Sequence, residues 1–263
     1  SSGTTGAKKG VCITEKQLLW QVDAYAKEIK LAPQDHIVSW LPLYHDMGFL
    51  TALLLPLLTG TTVTLMSPFE WVQRPMMLLD TISRDNCTLC WLPNFAYNLL
   101  ARAGEKHGQQ NLDLSSLRGV INCSEPVSQD SHDLFFEAFS AQGFRREVLA
   151  VSYAMAETTF AITSGGFGRD LRVERVNRAN TKVGTPVEPG DDPLVSCGRA
   201  LEGVAVRIFD EDGAELEEGH LGEIGVDSPS LMCGYYENTE ATTRSYNGSY
   251  FMTGDLGFVT NGE

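Results

Sequence analysis

Ile37-Val-Ser-Trp-Leu-Pro-Leu43, Thr62-Val-Thr-Leu-Met66, Thr88-Leu-Cys-Trp-Leu92, Val120-Ile-Asn-Cys123 and Val148-Leu-Ala-Val-Ser152 are five short apolar runs. Runs of this length, rich in β-branched and large apolar residues, read as strands buried on both faces. Between them lie stretches with helical spacing of apolar positions, clearest over Pro75 to Arg84, Phe95 to Lys106 and Ser128 to Ala141. Strand and helix alternating in this way predict a mostly parallel sheet flanked by helices, with functional loops gathered at the carboxyl ends of the strands.

Upstream of these runs, Thr14-x-x-Gln17 is a capping-box pattern, and Leu18, Leu19, Val22, Ala26 and Ile29 share one face of the helix it opens. Phe49 to Leu58 is very apolar and reads as a core helix, with the lining of an acyl channel as a second reading. Downstream, the texture changes: Phe167 to Asp192 is polar and rich in Arg, Asn, Gly and Pro. Leu194 to Cys197, Val204 to Asp210 and Gly222 to Asp227 then alternate like antiparallel strands. The expected organisation is an α/β unit over residues 1–164, a polar insertion over 165–193 and a small antiparallel β-subdomain over 194–263. No strand precedes Ser1 and none returns after the Asn261-Gly262 turn, so the chain reads as an internal fragment of a longer protein.

The 263 residues, 43% of them hydrophobic, suffice for a large core. A net charge of −14 opposes a general grip on nucleic acid or anionic membrane, so an anionic ligand needs a local positive pocket. The six cysteines read as buried small hydrophobes in a reducing cytoplasm. Cys87-x-x-Cys90 lacks a second pair at zinc spacing, and no apolar run is long enough to span a bilayer. His36, His107, His132 and His220 lie in polar stretches that read as exposed.

Three separated segments suit one chemistry. The first is Ser1-Ser2-Gly3-Thr4-Thr5-Gly6-Ala7-Lys8-Lys9-Gly10, whose glycines bring backbone N–H groups close to phosphate oxygens while the hydroxyls and lysines add donors and charge. It is not the common P-loop, because its hydroxyls precede its lysines; the plain alternative is a flexible linker. The capping box behind it predicts that this loop sits directly at a helix N-terminus. The second, Ser152-Tyr153-Ala154-Met155-Ala156-Glu157-Thr158-Thr159, offers an aromatic face for a purine and a carboxylate for Mg²⁺. The third, Tyr250-Phe-Met-Thr-Gly-Asp255, carries a carboxylate able to accept two ribose hydroxyls.

Together these segments resemble the signatures of the adenylate-forming superfamily of acyl-CoA synthetases, luciferases and peptide-synthetase adenylation domains. Four more make the chain most similar to fatty acyl-AMP ligases: Trp40-Leu-Pro-Leu-Tyr-His-Asp-Met-Gly48, Leu92-Pro-Asn-Phe-Ala-Tyr97, Asn122-Cys-Ser-Glu-Pro-Val127 and Leu194-Val-Ser-Cys-Gly198. The resemblance implies ATP and Mg²⁺ as cofactors, a fatty acid substrate and an acyl carrier protein as partner. It places Ser2, Gly3, Thr4, Thr5, Gly6 and Lys9 on the phosphates, Ser124 and Glu125 beside the adenine, and Tyr153 stacked on it. Glu157 becomes the metal ligand with Thr158 next to it, Asp255 the ribose ligand, and His45 the histidine beside the carboxylate and acyl tunnel. His45, Lys9 and Glu157 form the implied catalytic set.

The implied reaction is attack of a carboxylate on the α-phosphorus of ATP, giving acyl-AMP and pyrophosphate. The polar stretch stands where fatty acyl-AMP ligases carry an insertion that restrains the C-terminal domain and disfavours CoA. Three positions depart from the pattern: Lys8 replaces a proline, and Cys123 and Ala154 replace glycines, so those two need backbone angles that a Cβ tolerates. The alternatives are an acyl-CoA synthetase, an adenylation domain for another acid, and a non-catalytic nucleotide-binding or docking module. By the same resemblance, the fragment alone is expected to be inactive and poorly folded.

Overall fold

The computed structural model describes residues 9–107, 111–168 and 170–263. The chain enters through a short strand, β1 (Val11–Cys12), before helix α1 (Glu15–Glu28). The capping box forms: Gln17 N donates to Thr14 Oγ1 at 3.3 Å and Thr14 N to Gln17 Oε1 at 2.7 Å, pairing two of the donors a helix start leaves open. A strand thus stands between Lys9 and α1, and the expectation of a loop abutting the helix is corrected.

The five apolar runs become β2 (His36–Ser39), β3 (Thr62–Leu65), β4 (Leu89–Leu92), β5 (Gly119–Cys123) and β6 (Leu149–Ala154). Their pairings with one another are all parallel. Two antiparallel strands complete the edge, β7 (Ala161–Gly165) against β6 and, after two strands described below, β10 (Arg199–Ala200) against β7. The order across this sheet is β3-β2-β4-β5-β6-β7-β10. β4 and β5 are buried along their whole length, as strands covered on both faces must be.

The connections are helical. After β2 come α2 (Asp46–Gly48), a π-helical turn over Phe49–Leu54 and α3 (Leu55–Thr59). Pro56 has no N–H to give the preceding turn, and Leu55 N instead reaches back to Leu50 O, the wider spacing that defines the π turn. Leu50 and Leu55 are buried, whereas Leu57 and Leu58 are exposed, so the apolar run is a core helix only in its first part. Next follow α4 (Pro68–Gln73), α5 (Met77–Asp85), α6 (Asn94–His107) after β4, and α7 (Gln129–Phe139) after β5. At the amino edge of the sheet, Arg118 holds Asp35 through two hydrogen bonds of 2.6 and 2.5 Å. Burial pushes the Asp35 carboxyl up, but Arg118, Ala32 N and Thr88 outweigh it and hold the group below its ordinary range.

Beyond β7 the polar stretch contains β8 (Val173–Val176), which pairs antiparallel with β9 (Asp192–Val195) in a ladder of its own. The run at Leu194 therefore does not join the small sheet. That sheet consists of β11 (Ala205–Phe209), β12 (Gly222–Asp227), β14 (Tyr246–Asn247) and β15 (Tyr250–Gly257), all antiparallel, in the order β11-β12-β15-β14. Between β12 and β14 lie β13 (Gly234–Tyr235), which pairs with β1, and α8 (Thr239–Arg244). Asn261 and Gly262 both take positive φ and close a turn in which Thr260 and Glu263 exchange backbone hydrogen bonds.

Two further expectations are corrected. Cys87, Cys90 and Cys123 are buried, but Cys12 is only partly covered and Cys197 and Cys233 are exposed. His132 is not exposed: it lies buried on α7 against Tyr97.

Candidate nucleotide site

Parallel pairing brings the carboxyl ends of β2, β4, β5 and β6 to one edge, and the loops bearing most of the candidate residues leave from there. The His45 turn follows β2, Asn94-Phe95 follows β4, Ser124-Glu125 follows β5, and Tyr153 lies in the last two residues of β6. Cys123 and Ser152 are register partners, so Ser124 leaves β5 beside Tyr153, which is still in β6.

The β5 exit is built tightly. Ser124 takes φ +72°, a left-handed conformation that is costly for a residue with a Cβ. Behind it Asn122 Nδ2 lies 3.0 Å from Asn94 Oδ1 and 2.9 Å from His132 Nε2. Burial pushes His132 down to about 4, so its neutral Nε2 accepts from Asn122. Glu125 Oε2 accepts from Phe95 N at 3.1 Å, at the start of α6, where a carboxylate suits the helix dipole. Cys123 and Ala154 both lie in strand, with backbone angles that a Cβ tolerates, so these replacements of glycine carry no strain.

The His45 turn packs on the same exit through Met47, whose sulfur lies 3.0 Å from Cys123 Sγ. His45 Nδ1 is 2.6 Å from Asp46 Oδ1 and 3.3 Å from Met47 N. The shorter contact puts a proton on Nδ1, and the bond to Asp46 holds His45 above its usual range. The ring is exposed, which leaves its far side open. Beside it an apolar groove of about 440 Å³ runs between residues 41–44 and 65–72.

Remote stretches then close on β6. Tyr153 Oη donates to Asp255 Oδ2 at 2.5 Å. Burial first, and the Asp255 charge second, raise the Tyr153 phenol, so it stays protonated as the donor. Asp255 reaches inward because β15 bulges: Gly225 pairs with Met252 but Glu223 pairs with Leu256, leaving two extra residues on β15. Glu157, in a short 3₁₀ turn over Ala156–Thr158, is buried, and its Oε1 accepts from Tyr235 Oη at 3.0 Å. Burial, then the nearby Glu157, pushes the Tyr235 phenol up to about 12. Lys9 Nζ sits 4.5 Å from the centre of the Tyr235 ring. Thr158 is buried, its hydroxyl within hydrogen-bond reach of Met155 O and Phe160 O. Ser2, Gly3, Thr4, Thr5, Gly6 and Lys8 lie outside the described residues.

Two sets of contacts thus gather around the carboxyl end of β6 and the turn after it: Lys9, Tyr235 and Glu157 in one, Tyr153 and Asp255 in the other. A family model described as AMP-binding enzyme matches residues 1–236. The chain belongs to the AMP-binding enzyme family.

 Relatives of this AMP-binding chain carry the names of acyl-CoA synthetases and fatty-acid ligases. A protein of Caulobacter vibrioides provisionally named an acyl-CoA synthetase is 34% identical over 272 residues, an alignment that covers 100% of this chain and 47% of that protein. The medium-chain-fatty-acid–[acyl-carrier-protein] ligase JamA of Moorena producens is 34% identical over 280 residues, again covering 100% of this chain and 47% of that protein. Among solved structures, the fatty acyl-adenylate ligase of L. pneumophila in complex with acyl adenylate and pyrophosphate superposes with a TM-score of 0.94 at 31% identity, covering 100% of this chain and 48% of that one. An adenylation domain of a keto acid-selecting peptide-synthetase module shares the fold, with a TM-score of 0.89 at 24% identity over 97% of this chain and 50% of that one. The AMP-binding chain thus spans about half the length of the curated relatives it matches.

Sequence reasoning missed Tyr235. Its one signal was Gly234, whose φ of +145° lets the chain turn into β13 beside β1. It also missed the Asn122–His132–Asn94 cluster, because one polar residue on a strand and one on each of two helices give no local pattern that they face one another.

Proposed function

We propose that the protein containing this chain activates a fatty acid with ATP, forming acyl-AMP and pyrophosphate, and passes the acyl group to the thiol of an acyl carrier protein. The observation that carries this reading is that the segment of Tyr153 and Glu157 draws in remote stretches of a family chain, Asp255 onto Tyr153 and, through Tyr235, Lys9 towards Glu157. In the reaction a carboxylate oxygen of the fatty acid bonds to the α-phosphorus as the bond to the bridging oxygen breaks, and the electron pair leaves with pyrophosphate. Lys9 stabilises the charge that grows on the leaving group. Tyr153 stacks on the adenine, Ser124 and Glu125 border it, and Asp255 accepts from the ribose hydroxyls. His45, protonated on Nδ1 by its bond to Asp46, orients the acid, and the groove beside Tyr44 takes the acyl chain.

Glu157 suits Mg²⁺. No cluster of three or more His, Cys, Asp or Glu side chains occurs among the described residues, so a cation here would be held by one buried carboxylate together with nucleotide phosphates. That is the usual donor set for Mg²⁺, which supplies charge neutralisation at the phosphates. Residues 165–193 serve as an insertion between the 1–164 and 194–263 units and disfavour transfer to CoA; the β8–β9 ladder that starts within this stretch and runs past it to Val195 belongs to neither larger sheet.

Mass spectrometry of products from the full reading frame, incubated with ATP, Mg²⁺, CoA and medium- and long-chain fatty acids, tests the proposal. Accumulating acyl-AMP without acyl-CoA is the expected result. Abundant acyl-CoA would make the protein an acyl-CoA synthetase instead.

A further inference from the structure

Tyr235 touches both partners that the proposed chemistry needs at the phosphates. Its hydroxyl donates to Glu157 Oε1 at 3.0 Å, and its ring carries Lys9 Nζ at 4.5 Å from the centre. The backbone around it is fixed to the same two places. Val11 pairs with Tyr235 and Cys12 with Gly234, and Tyr236 N donates to Gly10 O at 2.7 Å, which ties β13 to the segment just after Lys9. Met232 N donates to Glu157 O at 2.7 Å and Thr159 Oγ1 to Ser230 O at 2.8 Å, which ties the approach to β13 to the Glu157 turn. Tyr235 N is itself held by Thr242 Oγ1 at 2.9 Å.

We propose that Tyr235 is a positioning residue that couples the lysine of the N-terminal loop to the carboxylate of Glu157. By holding Oε1, it fixes the rotation of the carboxylate and leaves the other oxygen for a cation on the nucleotide. By presenting its ring to Lys9, it sets the ammonium on the same side. The inference rests on the proposed role of Glu157 as a cation ligand. Losing a partner that orients a metal-binding carboxylate typically lowers metal affinity about 10- to 100-fold.

The test uses the full-length protein and ATP binding titrated against Mg²⁺, read by calorimetry rather than turnover. Tyr235→Phe keeps the ring and removes only the hydroxyl. It should raise the Mg²⁺ concentration needed for half-maximal ATP binding by about 10- to 100-fold while leaving Mg²⁺-free ATP binding unchanged. Glu157→Gln should remove the Mg²⁺ dependence, and the double variant should behave as Glu157→Gln alone, because both changes act through one carboxylate. Tyr235→His, which retains a ring donor, serves as a second variant should the phenylalanine protein fold poorly, and should recover part of the Mg²⁺ response. A Tyr235→Phe curve superimposable on the wild type, with Glu157→Gln still shifted, would overturn the coupling and leave the function standing. Unchanged Mg²⁺ dependence in Glu157→Gln would overturn the assigned role of Glu157, and the coupling with it.

Discussion

His132 carries an acid-sensitivity that a single side chain can explain. Burial pushes it from the usual 6.5 down to about 4, so the unfolded chain binds a proton over a pH range in which the folded chain does not. The folded state is therefore favoured fully above 6.5 and loses roughly 3 kcal/mol as pH falls through about 4. Denaturant unfolding at a series of pH values should show this slope in the wild type and a flatter one in His132→Gln. Equal slopes would mean that other groups dominate. Because Asn122 bridges His132 to Asn94 just behind Ser124, the same protonation should loosen the exit from β5.

At the scale of elements, the close approach of β7 and the chain entering β10 depends on Gly198. It takes φ +84°, and a Cβ there would fall 2.1 Å from the Ser164 carbonyl carbon. Gly219 has the same φ of +84° but nothing within 4 Å of such a Cβ, which separates backbone strain from collision. Gly219→Ala should cost about 1 kcal/mol and Gly198→Ala about 3 kcal/mol or more, measured by denaturant unfolding; similar losses would contradict the packing account. The parallel strands were legible because Val, Ile and Leu cluster in runs bounded by helical periods, and the capping box at Thr14 because its partners are three residues apart. β7 was not, since Ala161-Ile-Thr-Ser-Gly165 has the composition of a loop and is made a strand by pairing with β6. The π turn at Phe49–Leu54 was missed because Pro56 acts on the turn before it.

Across the whole molecule, the candidate site joins segments that lie far apart in the chain: β1 with β13, and Tyr153 with Asp255. Motif spelling marked Tyr153, Glu157 and Asp255, while the coupling through Tyr235 needed the fold, because pairing between remote strands leaves no local pattern. The described residues include no helix long and apolar enough to cross a membrane. The central claim is ATP-dependent activation of a fatty acid, and exchange of labelled pyrophosphate into ATP by the full reading frame tests it most directly. The account predicts exchange that requires both Mg²⁺ and a fatty acid and is lost in Glu157→Gln. No exchange with any fatty acid in a folded, ATP-binding protein would contradict it.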